Sequence, residues 1–150
     1  MTTAPSLARS YEALRPQILQ RLLELRATLD PSLGRLDDAA ARSQIGAVLD
    51  HLGNYLATGD LGLHRGFLHT FLAMRAAEAQ SPASVLAMLV AIGDTAAQVA
   101  QDELGGGELT LMLTRVTAST ARAVNDLIAE ELARRTAQRG ELARRAGSAG

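Results

Sequence analysis

Three histidines, His51, His64 and His69, are the side chains best suited to hold a metal or a haem. A helix offers joint ligands at positions three or four apart, whereas His64 and His69 are five apart and diverge by about 140°. Neither has a glutamate at Glu-x-x-His spacing. No chelating pair on one helix, and hence no metal site, is expected. A haem would need only one histidine, and Tyr55, His64, Phe67 and Phe71 are the residues that would line such a pocket. However, no histidine follows residue 69, so the late proximal position of a globin is empty. The expectation is no cofactor, with the histidines at the surface or the core edge. A small-ligand or haem sensor is the alternative.

Two carboxylates are candidates for acid or base work. Asp50 lies beside His51 and one residue from the apolar positions Leu49 and Leu52, where a buried carboxylate would titrate abnormally. Asp94 shares a side with Gln98 and Gln101, which reads as the polar stripe of a helix. Both are expected to be solvated. The chain has no cysteine, which removes thiol nucleophiles, thiolate metal sites and disulfides together. Gly105-Gly106-Gly107 precedes a helix start but lacks the lysine and Ser/Thr of a phosphate loop, so it reads as a hinge. Thr110, Thr114, Thr117, Ser119 and Thr120 cluster along one helical segment. They are read as hydroxyls bonding back to carbonyls, with phosphorylation as the alternative. Nothing specifies an enzyme.

The elements that must carry these residues are helical. Of 150 residues, 47% are hydrophobic but only 3% aromatic, so the core is built from Leu, Ala, Val, Ile and Met. No strict alternation signals a strand. One all-α domain of four to five helices, bundle or globin-like and ending in a long helix, is expected. Ile18, Leu22, Leu25 and Leu29 form the stripe of a first helix whose patterned part starts near Pro16. Residues 1–16 are therefore read as a flexible arm or short helix. Asp37 or Asp38 caps a second long helix that faces inward with Ile45, Val48, Leu49, Leu52, Tyr55 and Leu56. The next, from Leu61 to Ala79, faces inward with Leu63, Phe67, Leu68, Phe71, Leu72 and Met74.

Ser81-Pro82 starts the following helix, which runs to Leu104. Gly93 in its middle costs about 1 kcal/mol of propensity against alanine and predicts close approach of a neighbour. The last helix begins near Glu108 and continues towards Arg139. Beyond Leu132 its stripe fades, and the basic segment 136–150 is expected to be disordered. ELARR occurs at 131–135 and again at 141–145, an offset that does not align one face.

The net charge is −1, which gives no global attraction to nucleic acid or anionic lipid. All fifteen cations are arginine, which fits a coding bias better than a phosphate site. Glu78, Asp94, Asp102, Glu103 and Glu108 form an acidic middle. Residues 131–150 carry five arginines against two glutamates. The longest uninterrupted apolar run, Val85 to Gly93, is too short to span a membrane, and MTTAPSLARSYEALRPQ lacks a signal-peptide core. A cytoplasmic chain is expected.

The order of RLLELRATLDPSLGRLDD, a helix ending YLATGD, FLHTFLAMRAAEAQSPASVLAMLVAIGDTAAQVA and a long terminal helix resembles the helical amino-terminal sensor domains of RsbT co-antagonist (RsbR-like, stressosome) regulators. The likeness covers residues 17–135, the extent read as the helical regulatory domain. It implies a non-enzymatic, haem-free dimer whose last helix transmits a signal, although nothing folded is expected after residue 135, where those regulators carry an output domain. The expected function is signalling through homodimerisation and protein-partner binding. Leu113, Val116, Thr120, Val124, Leu127, Arg134 and Arg135 are the expected interaction residues.

Overall fold

The computed structural model describes residues 4–148. Among them there are five long helices and one single turn, and no strand: α1 (Ala4–Leu29), α2 (Pro31–Gly34), α3 (Asp38–Thr58), α4 (Leu61–Ala77), α5 (Pro82–Leu104) and α6 (Glu108–Ser148). The all-α class and the long last helix are as the sequence indicates.

The helix boundaries follow local chemistry. Asp37 accepts from the Ala40 amide at 2.8 Å and Asp60 from the Leu63 amide at 3.1 Å, so each satisfies a donor that the first helical turn leaves free. Ser81 does the same for Ser84, with Pro82 at the first helical position. Gly59 closes α3 with φ 66°, a left-handed conformation that glycine adopts without strain.

α1 lies between α3 and α5 and runs antiparallel to both, as Arg26 pairs with Asp38, Arg15 with Asp50, and Arg21 with Asp102. α5 and α6 form the most extensive pair, a hairpin through the three glycines, and α4 lies across α3, α5 and α6. Tyr11, Ile18, Leu22, Ile45, Leu49, Ile92 and Leu113 are fully buried where these helices meet. The close approach expected at Gly93 is present: a Cβ there would lie 2.1 Å from Thr117 Oγ1 on α6. α5 is long and apolar enough to cross a membrane by length and composition, a property that counting only the uninterrupted run misses. Its apolar side, including Met88, Ile92, Ala96 and Val99, is buried inside the bundle.

Three expectations are corrected. Residues 4–16 are neither an arm nor a separate helix, because α1 continues through Pro16. Pro16 is on the exposed side, and the turns before it are tied to α3. Leu7, Tyr11 and Leu14 are buried, the Tyr11 hydroxyl donates to the Leu49 carbonyl, and Arg15 Nη2 donates to the Gly46 carbonyl at 3.2 Å. Tertiary packing offsets the lost helical bond. Next, residues 136–148 are helical, with Glu141 paired to both Arg144 and Arg145; residues 1–3, 149 and 150 lie outside the described residues.

The buried face of α4 is the third. Leu63 and Met74 are 62% and 55% exposed, while their neighbours His64 and Arg75 are buried with Leu68 and Phe71. The face is turned by one residue and takes in two polar side chains, of which Arg75 keeps a buried Nε without a hydrogen-bond partner among the described residues. Arg75 lies over the Phe71 ring at 5.4 Å and pairs with Glu78 at 3.0 Å, and His64 joins the cluster described below.

Candidate functional site

His51 on α3 and His64 on α4 meet in the interior. His51 Nε2 lies 2.6 Å from His64 Nδ1, and His64 Nε2 lies 3.2 Å from Thr120 Oγ1 on α6. The Thr120 hydroxyl is 2.7 Å from the Val116 carbonyl. A carbonyl can only accept, so the single hydroxyl proton of Thr120 is donated to Val116 and its oxygen accepts from His64 Nε2–H. His64 Nδ1 is then bare and accepts from His51 Nε2–H. The three side chains form one directed chain of hydrogen bonds joining α3, α4 and α6.

Aromatic rings enclose it. Phe67 stacks on His51 with centroids 4.1 Å apart, Tyr55 is tilted against His64 at 5.2 Å, and Phe71 follows Phe67 at 5.5 Å. Tyr55, His64, Phe67 and Phe71, taken from the sequence as one possible site, are thus brought together. His64 and Phe67 of that set lie directly against His51, which the set omitted. His51 and His64 come from different helices, so a spacing rule for one helix does not detect them. The available signal is that each falls on the buried stripe of its own helix: His51 with Val48 and Leu52, His64 with Leu68 and Phe71.

Burial, and then the nearby His64, push His51 down to about 4; burial also lowers His64 below 6.5. Both imidazoles are therefore neutral near pH 7. The chain accommodates one added proton, on His51 Nδ1. A second on His64 Nδ1 would set two N–H groups against each other at 2.6 Å.

Hydroxyl, imidazole and second imidazole have the order of a nucleophile, base and orienting group, but not the directionality. The hydroxyl is committed to Val116, and the enclosed space beside His51, His64 and Thr120 is about 10 Å³, room for about one water. The same volume fits no haem, since small-molecule pockets take hundreds of Å³. Among the described residues no group of three or more His, Asp or Glu is placed to hold a metal ion.

The other candidates separate. His69 faces away from the cluster and lines a groove of about 410 Å³ with Leu72, Leu127, Ile128, Arg134 and Arg135. Asp50 is exposed and paired with Arg15 at 2.8 Å, and Asp94 is exposed, as expected of solvated carboxylates. Thr114, Thr117 and Thr120 each donate to the carbonyl four residues before. Of the expected interaction residues, Leu113, Val116, Thr120, Val124 and Leu127 are buried against their own chain, and only Arg134 and Arg135 are exposed. The five apolar and threonine positions of that set are therefore part of the domain's own core.

Fold and cluster together define an all-α helical bundle with a buried histidine network and a projecting terminal helix. No protein-family model, curated protein or solved structure matches the chain.

Proposed function

We propose that this chain is a non-enzymatic, cytoplasmic regulatory domain that acts by helix-mediated homodimerisation and binding of a protein partner in a bacterial signalling pathway. The observation that carries the reading is the double character of α6. Residues 109–127 of this one helix supply its buried core positions, and residues 132–148 stand entirely exposed beyond it. A change in the body, at Thr120 for example, is thereby passed along a continuous helix to a surface on which a partner can read it. The resemblance in sequence pattern to the sensor domains of RsbT co-antagonist regulators supports the same reading. The committed Thr120 hydroxyl and the 10 Å³ space beside the histidines favour it over an enzyme or a haem sensor. Light scattering on the purified chain tests it: a mass of twice 15.8 kDa is expected, and a strict monomer overturns it.

A further inference from the structure

Residues 132–148 of α6 are all exposed, with Arg134 and Arg135 at their base lining a groove shared with α4. They extend about 25 Å from the body, and a helix of this length with no tertiary face is marginal in water. Their sequence says what covers them. Continuing the buried stripe of α6 past Leu127, the same face presents Glu131, Arg135, Gln138, Leu142 and Arg145, at spacings of four, three, four and three. That is the seam periodicity of two supercoiled helices, with charge in place of most of the apolar residues.

We infer that the projecting end of α6 pairs antiparallel with the same segment of a second copy, crossing at Gln138. In this register Gln138 meets its counterpart on the twofold axis, Arg135 of each copy lies level with Glu141, beside Leu142, of the other, and Glu131 lies level with Arg145. Each opposite-charge pair then occurs twice, as an isologous contact requires. A parallel pairing would set Glu131 on Glu131, Arg135 on Arg135 and Arg145 on Arg145. The charge pattern selects one orientation by penalising the other. The two ELARR segments acquire a purpose here: their ten-residue offset does not align one face within a helix, but it makes the segment complementary to its own reverse. Glu131 and Glu141 already hold arginines of their own helix, so the charges are ordered before the copies meet.

The groove at the base of the arm fits the same arrangement. It lies between α4 and α6 with Leu72, Ala73, Leu127 and Ile128 among its lining, and holds about 410 Å³. With the crossing at Gln138, the partner's arm end comes level with Ile128. That end is the small-residue sequence Ala146-Gly147-Ser148, slim enough to lie along the groove.

The inference rests on the dimer reading but is tested apart from it. The chain has no cysteine, so Gln138→Cys introduces the only thiol. Mild oxidation of that variant is expected to give a covalent dimer, while Thr136→Cys, on the opposite side of the arm, stays uncross-linked. Glu131→Arg is expected to weaken dimerisation about tenfold or more in sedimentation, and Glu131→Arg with Arg145→Glu to restore it. The cooperative urea unfolding of the body should be unchanged in each, since the arm beyond Glu131 supports no core residue. If the wild-type chain is dimeric but Gln138→Cys does not cross-link and Glu131→Arg dimerises normally, the arm pairing is wrong while the dimer stands. Equal cross-linking of Thr136→Cys likewise overturns it. If the wild-type chain is monomeric from micromolar to millimolar concentration, both readings fail.

Discussion

Gly93 of α5 and Thr117 of α6 are in contact so close that a single added methyl at Gly93 would fall 2.1 Å from the Thr117 hydroxyl and 3.0 Å from its Cβ. Thr117 cannot swing away without cost, because it is buried and its hydroxyl is bonded to the Leu113 carbonyl at 2.7 Å. Gly93→Ala should gain about 1 kcal/mol of helix propensity and lose more to overpacking, which typically costs about 1–3 kcal/mol. A net loss of up to about 2 kcal/mol in urea unfolding is expected. Thr117→Ala in the same chain should recover part of it, and a double-mutant cycle showing no coupling would refute the contact.

Stability should fall as the solution is acidified from pH 6.5 towards pH 4. The unfolded chain protonates His51 near 6.5 and the folded chain only near 4, so in that window the unfolded state binds more protons and is favoured. The stabilisation is complete above pH 7, and the loss from His51 alone approaches about 3 kcal/mol at the acid end. His64, lowered in the same direction, adds to it. Urea midpoints measured across this range check the slope. His51→Gln, which retains a donor for His64 Nδ1, should flatten it.

Tyr11 should prove structural although it lies in the part of α1 before Pro16. Its hydroxyl reaches the Leu49 carbonyl in a buried site, and its ring lies where a Cβ on Gly53 would come within 3.1 Å of it. Tyr11→Phe removes the second donor to a carbonyl that keeps its bond within α3, and should cost about 1 kcal/mol in thermal or urea unfolding. Deleting residues 1–16 should unfold the domain rather than trim it, a result that circular dichroism would register at once.

Added haemin should give no Soret band ligated by His64. Both nitrogens of His64 are engaged, and the adjoining space is about 10 Å³. A band that appears with the wild-type chain and is lost in His64→Ala would instead require α4 to lift away from α3 and α6.

Much of the fold is legible in the sequence because it depends on local signals. Asp37 and Ser81-Pro82 mark helix starts by chemistry confined to one turn, and Gly93 marks a close approach because glycine is costly in mid-helix. The continuity of α1 through Pro16 is not legible, because it is decided by Tyr11 and Arg15 reaching α3, more than thirty residues away. The face of α4 is misread by one residue for a related reason. Hydropathy places Leu63 and Met74 inside, whereas His64 and Arg75 are interior because partners on other elements or a neighbouring ring accept them. The histidine network is hidden for the same cause: its members belong to three helices, and no spacing within one of them encodes the meeting.

The unbroken course of α6 has a mechanical consequence. An arm about 25 Å long, fixed at one end in a close-packed body, converts a tilt of about 10° at its root into a displacement of about 4 Å at its tip. That is nearly the width of a side chain. Repacking around Thr120 too slight to alter the body's outline would therefore suffice to shift the outer end of the proposed pairing, at Leu142 and Arg145, out of register, or back into it.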